Sequence, residues 1–194
     1  MRRAIRLRAD RCPNPVTAII DSQSVRGAAT VSKATRSWDG AKRVNGRKRT
    51  VAVDSEGLPL LVIVTPAALT DRQVARDMLT QLRQHHPQLT LAWADNAYRG
   101  ALVTWAQRFL RLTLKIVKKP AHQQGFQVLP RRWIVERAIG WWMNARRNVI
   151  DYERRPDHSA AHLTWATITL MTRRLARKGS QRWTRDGVQM AHAA

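Results

Sequence analysis

Asp21, Asp95 and Glu136 are the residues of this chain whose types and settings could do chemistry together. Asp21 follows the apolar, β-branched run 16–20, and Asp95 follows the apolar run 89–94. Each is the first charged residue after a segment of strand composition. Ligands of open α/β sheets bind beyond the carboxyl ends of the strands. Two neighbouring strands would therefore bring both carboxylates to one edge. An Asp that only starts a turn after a strand is an equally ordinary reading of either residue alone. Glu136 is one of three Glu, the others being Glu56 in a tight turn and Glu153 in a connector. It sits at the edge of a helix's apolar stripe, with Arg132 one turn before it and Gly140 one turn after. Glycine inside a helix costs about 1 kcal/mol relative to Ala, so Gly140 suggests the close approach of a neighbour. A plain surface ion pair between Glu136 and Arg132, worth a few tenths of a kcal/mol, is the bland alternative.

Three carboxylates at one edge of a very basic chain suit a two-metal site. Such sites hold ions about 3.5–4 Å apart, one activating the attacking oxygen and the other stabilising the leaving one. Mg²⁺ is hard, prefers oxygen and keeps some waters, so few protein ligands suffice. Asp21, Asp95 and Glu136 are the candidate metal ligands.

The elements that must position them follow from pattern. Residues 1–15 read as a basic, irregular lead-in, and 26–49 as a long loop or irregular ribbon. Residues 50–53 and 60–64 form a hairpin whose turn, 54–57, ends in Gly57, a residue suited to positive φ. Thr70 and Gln73 make a capping box that starts a helix, which Pro87 stops. A helix over 99–110, a strand over 112–117 and a linker over 121–130 follow. Ile134, Val135, Ala138, Ile139, Trp142, Ala145 and Val149 form one stripe of a helix over 131–149. That helix returns Arg147 to nearly the face of Glu136. A last helix spans about 159–176. The order predicts a mixed α/β fold with an antiparallel hairpin at the sheet edge and parallel strands added by helical crossovers.

Charge names the partner class. The chain has 35 Lys+Arg against 13 Asp+Glu, a formal net charge of +22. That surplus is costly unless polyanions neutralise it, which points to nucleic acid and strongly salt-dependent binding. The ribbon residues Lys42, Arg43, Arg47, Lys48 and Arg49 are candidate phosphate contacts, positioning DNA without reading sequence. Arg131, Arg132, Arg137, Arg146 and Arg147 along the Glu136 helix could clamp the backbone beside the metals. Trp38, in the polar ribbon, could stack on an extruded base, whereas Trp141 and Trp142 read as core. The longest nearly apolar run, 58–69, is interrupted by Pro59 and Pro66 and is far short of the roughly 20 residues of a membrane span. One cysteine, Cys12, excludes a disulfide framework and a multi-Cys zinc site. The start has no signal-peptide core, and the expected compartment is cytoplasmic. His85-His86 has no partner at ligand spacing, and Ser22 and Ser24 have no nearby His.

Five ordered segments carry a resemblance. They are Ile19-Ile20-Asp21-Ser22-Gln23-Ser24-Val25-Arg26, Gly46-Arg47-Lys48-Arg49, Trp93-Ala94-Asp95-Asn96-Ala97-Tyr98-Arg99-Gly100, Leu129-Pro130-Arg131-Arg132-Trp133-Ile134-Val135-Glu136-Arg137 and Asp151-Tyr152-Glu153-Arg154. Together they resemble the motifs of bacterial insertion-sequence transposases of the IS-five family, with its DDE transposase domain. The resemblance implies an RNase H-like mixed sheet flanked by helices, and Mg²⁺-dependent cleavage and strand transfer at the element's ends, with Mn²⁺ able to substitute. It implies Asp21, Asp95 and Glu136 as the catalytic triad, accompanied by Arg132. The chain departs from the family's pattern at Asn96-Ala97, where Gly-Gly is usual, and at Thr50, where His is. Leu129 and Met143 stand where the related signature has Tyr and Lys, and Arg147 could replace that Lys by helix geometry. The expected organisation is a basic lead-in (1–13), the catalytic domain (14–177) and a flexible tail (178–194). The family's proteins carry a helical region ahead of this part. The chain would then be the second frame of a frameshifted pair, a truncated remnant or a frame opened from an internal Met. Expected partners are double-stranded DNA, a second copy of the chain and an upstream-frame N-terminal part, without membrane. The competing reading is a truncated or degenerate derivative that binds DNA without catalysis.

Overall fold

In the computed structural model, residues 1–117 and 131–177 are described. The expected linker 121–130 and tail 178–194, with Leu129 of the fourth segment, lie outside them. The frame is one six-stranded mixed sheet ordered β2-β3-β1-β5-β6, with β4 also paired to β3. Its strands are β1 (Thr17–Arg26), β2 (Ser37–Asp39), β3 (Val44–Val53), β4 (Pro59–Pro66), β5 (Leu91–Ala94) and β6 (Thr113–Ile116). β1 pairs antiparallel with β3 and parallel with β5, and β5 is parallel to β6. The mixed α/β expectation therefore holds, and this arrangement is compatible with an RNase H-like fold. Pro59 and Pro66 bound the edge strand β4, where a missing N–H is tolerated.

Strand alternation assigns the two faces. Ala18, Ile20 and Ala52 point to α2 (Asp71–His85) and α3 (Ala101–Leu110), packing with Met78, Leu79, Leu82 and Ala106. Ile19, Val51 and Val53 point to α4 (Arg132–Met143) and α5 (Pro156–Ala176), packing with Ile134, Val135, Ala138, Trp142 and Leu163. Each fully buried Leu or Ile contributes about 1.5–3 kcal/mol. The Thr70–Gln73 capping box is present at the start of α2. Among the described residues no helix is long and apolar enough to cross a membrane.

Three readings of local structure are corrected. The lead-in carries a helix, α1 (Arg2–Arg8). Arg6 Nη1 donates to Asp54 Oδ2 at 2.7 Å in a buried pair, while Asp54 Oδ1 accepts from the backbone N–H groups of Glu56 and Leu58, each at 2.9 Å. One carboxylate thus closes the hairpin turn and ties α1 to it. The ribbon 26–49 is irregular through its middle, as read, but carries β2 and is bounded by the end of β1 at Arg26 and the start of β3 at Val44. Its basic residues read as loop, yet Arg47 and Arg49 find acceptors inside the protein. The Glu136 helix stops at Met143. The side chain of Asn148 donates from Nδ2 to the Trp142 carbonyl at 3.1 Å, diverting an acceptor the helix needs to continue.

Glycine at two positions has opposite meaning. A Cβ on Gly46 would lie 1.9 Å from the Val25 carbonyl oxygen, a true backbone approach between β1 and β3. A Cβ on Gly140 would meet nothing within 4 Å among the described residues, so the close neighbour expected there is not among them. Gly140→Ala is predicted to raise stability by about 0.5–1 kcal/mol through the unfolded-state entropy of glycine. Gly46→Ala should lower it by about 1–3 kcal/mol, the usual cost of overpacking. Urea midpoints check both, and a destabilised Gly140→Ala protein would contradict the assignment.

Candidate active site

Strand register brings the first two carboxylates together. Thr17, Ala18 and Ile19 pair with Leu91, Ala92 and Trp93. Continuing that offset sets Asp21 beside Asp95, on the sheet face of Ile19 and Trp93 that α4 covers. Asp21 lies within β1, opposite Val51 of β3, rather than after the strand. Its Oδ1 accepts from the Ser22 N–H at 2.8 Å. Asp95 caps the short 3₁₀ turn Asn96–Tyr98, its Oδ1 accepting from the Ala97 N–H at 2.9 Å. The turn-starting reading of Asp95 is thus correct, and it leaves the second oxygen for the site.

Those second oxygens face one guanidinium. Arg132 Nη2 is 3.7 Å from Asp21 Oδ2 and 3.9 Å from Asp95 Oδ2. Arg132 Nε is 3.2 Å from Glu136 Oε1, one helical turn along α4. None of these is a well-formed hydrogen bond, and the buried Nε has no aligned acceptor among the described residues. Arg132 is a loosely held counter-charge among three carboxylates. Burial pushes the Asp21 carboxyl up to about 6; the Ser22 N–H and Arg132 oppose the rise, and Asp95 and Glu136 add to it.

Two neighbours escaped the sequence reading. Asp71, at the start of α2, accepts from Ser22 Oγ at 2.7 Å and lies 3.5 Å from Lys48 Nζ. Its position after an N-cap accounts for it locally, so nothing in the sequence marked it. Tyr98 is 1 % exposed, and its buried hydroxyl has no hydrogen-bond partner among the described residues. Burial, reinforced by Asp71, Asp21 and Asp95, pushes its phenol well above the ordinary value. Its place in the third quoted segment was the one available signal. Beside Asp71 opens a cavity of about 290 Å³ lined by Trp38, Lys48, Arg72 and Ala97 among others, with Trp38 exposed at 58 %.

The basic candidates divide sharply. Lys42 and Arg43 are exposed. Arg47 is 0 % exposed and bonds to Thr35, Glu153 and Arg154 oxygens inside the protein. Arg49 Nη1 donates to the Asn148 carbonyl at 2.6 Å. Arg47 and Arg49 are interior struts, which corrects their reading as phosphate contacts, and Lys48 faces Asp71. Arg131 is exposed, Arg132 stands among the carboxylates, and Arg137 lies between the Trp133 and Trp141 rings. Arg146 and Arg147 fall in a 3₁₀ turn beyond α4. Arg147 pairs with Glu153 at 2.9 Å rather than returning to the Glu136 face.

Hard oxygen donors converging on a cation are the chemistry a divalent ion requires. Asp21, Asp95 and Glu136 are donors of that type, and the cation they face is the Arg132 guanidinium. Around that guanidinium they are spaced too widely to share one ion: among the described residues no group of three His, Cys, Asp or Glu is placed to hold a metal ion. A family model described as "Transposase DDE domain" matches residues 13–171. No curated protein matches the chain.

The raised Asp21 carboxyl has a stability consequence. Its folded-state value exceeds the ordinary 3.8, so its contribution is present at low pH and is lost as pH rises through about 6. At about 1.4 kcal/mol per unit the loss is roughly 3 kcal/mol. In EDTA, Asp21→Asn is predicted to melt higher than the parent protein at pH 8, with the gap closing toward pH 4. A gap independent of pH would contradict this.

Proposed function

The chain belongs to the transposase DDE domain family, and we propose that it is an insertion-sequence transposase of the IS-five type, cutting element ends and joining them to target DNA. The observation that carries the reading is the meeting of Asp21, Asp95 and Glu136 around Arg132 at the edge of the parallel strands β1 and β5. Residues 14–177 would be the catalytic domain, acting on the bacterial nucleoid in the cytoplasm.

Asp21, Asp95 and Glu136 would hold the divalent cations, Mg²⁺ with Mn²⁺ as substitute. Bound there, such ions activate the attacking oxygen and stabilise the leaving one in phosphoryl transfer. The chain's own residues do the rest. The Ser22 N–H fixes the Asp21 carboxylate and the Ala97 N–H fixes that of Asp95, each leaving one oxygen turned to the site. Arg132 neutralises the three carboxylates when no other cation does, and its planar fork is suited to a phosphate once released from them. Lys42 and Arg43, exposed on the β2–β3 turn, supply sequence-independent phosphate contacts. Joining two ends to a target needs both ends held at once, which favours a second copy of the chain as partner.

One observation favours the second reading, DNA binding without cleavage. The cation that follows the Glu in the related signature is Met143 here, and Arg147 is engaged by Glu153. Nicking of supercoiled plasmid by the full chain in Mg²⁺ or Mn²⁺ decides between the two. The proposal expects nicking that falls to background in Asp95→Asn and in Glu136→Gln while duplex binding persists. Tight, salt-sensitive binding with no nicking, or nicking unchanged by both substitutions, would overturn it.

A further inference from the structure

A stack of alternating rings and guanidinium groups runs along α4 past Glu136. Arg137 Cζ lies 4.3 Å from the centre of the Trp133 ring and 4.6 Å from that of Trp141. Arg174 of α5 adds a further rung, its Cζ 4.5 Å from the Trp141 ring. Trp133, Arg137 and Trp141 are spaced by four residues, so the rungs share one helix face. That face begins one residue after Arg132.

Two features set this stack apart from ordinary packing. Arg137 is a half-buried cation that no carboxylate pairs with among the described residues, and its buried Nε has no hydrogen-bond partner. Arg174 bears on the same indole, so two like charges are held together, and burial followed by the charge of Arg137 lowers its affinity for a proton. Its one hydrogen bond among the described residues is to the Glu56 carbonyl at 3.3 Å. Glu56 and Asp54 act on Arg174 in the opposite sense, so Arg137 is the cation of the stack without a carboxylate partner among the described residues.

We propose that the Trp133–Arg137–Trp141–Arg174 stack is a docking track for the phosphate backbone of double-stranded DNA leading to the Asp21–Asp95–Glu136 site. This rests on the reading of DNA as the substrate. Guanidinium groups engage the ring faces, so the track offers in-plane N–H donors, which suit phosphate oxygens rather than bases. Stacking also fixes the forks in advance, which lowers the ordering cost of each contact. From Trp133 to Trp141 the helix rises about 12 Å, the axial length of three to four nucleotides at about 3.4 Å each. The formal charge of +22 supplies the long-range attraction that brings a duplex to this face.

The test is binding of a labelled 30-base-pair duplex of arbitrary sequence by the full chain in EDTA, followed by fluorescence anisotropy across a salt series. Arg137→Gln should weaken binding about tenfold and reduce the salt slope by about 0.9, one phosphate's share. Arg108→Gln, on α3 across the sheet, removes the same charge and should leave the slope unchanged. Arg137→Lys and Trp133→Leu keep the charge but lose the fixed fork, and each should weaken binding several-fold at unchanged slope. If Arg137→Gln matches Arg108→Gln, or if Arg137→Lys binds like the parent chain, the track is only packing and the proposal falls. Circular dichroism establishes that each variant is folded, and Arg137→Lys decides if Trp133→Leu is not. The readout is binding without metal. Loss of binding in Arg137→Gln therefore supports the track even if plasmid nicking fails, and intact binding overturns it even if nicking succeeds.

Discussion

Three carboxylates cannot be gathered at a half-buried sheet edge without a cation between them, and Arg132 is that cation here. Like charges so placed repel, and burial already holds Asp21 well above its ordinary protonation range. The parallel register of β1 and β5 sets Asp21 beside Asp95, and α4 carries Arg132 and Glu136 on successive turns. The contacts of Arg132 run from 3.2 to 3.9 Å and none is aligned as a hydrogen bond. Neutralisation is therefore electrostatic and loose.

The geometry holds only if α4 and the segment after it are fixed, and buried basic residues do this. Arg47 on β3 reaches the carbonyl oxygens of Glu153 and Arg154 and the carboxylate of Asp151, while Arg49 caps the Asn148 carbonyl. Asp151 also accepts the Ser159 hydroxyl at 2.6 Å, joining the connector to the first turns of α5. Removing one partner from a buried ionic cluster typically costs about 3–5 kcal/mol, because a charge is left uncompensated. Part of the basic surplus is thus invested in the interior, and the surface field is carried by residues such as Lys42, Arg43 and Arg131.

What was legible in the sequence was whatever periodicity or a local cap dictates. The hairpin turn closed by Gly57, the Thr70–Gln73 box and the apolar stripe from Ile134 to Trp142 needed no tertiary information. The convergence of Asp21 with Asp95 was also readable, because an equal position after two apolar runs becomes an equal position in a parallel sheet. Basic residues misled the reading. Arg47 and Arg49 have the composition of a loop, and only distant carbonyl groups and Asp151 make their burial tolerable. The end of α4 was invisible for a similar reason, since the Asn148 side chain takes the Trp142 carbonyl from a residue beyond the helix. Asp71 and the Tyr98 hydroxyl join the site through packing of α2 and the 96–98 turn against β1, a juxtaposition no spacing announces.

Asp21, Asp95 and Glu136 are proposed to bind a divalent cation in place of Arg132, which now faces all three. Titration of Mn²⁺ into the metal-free full chain, read by the loss of the free-ion paramagnetic resonance signal, tests it most directly. The account predicts saturable binding that Asp21→Asn abolishes and that Arg132→Gln tightens by removing the competing cation. Equal binding by the parent chain and Asp21→Asn, or weaker binding by Arg132→Gln, would contradict it.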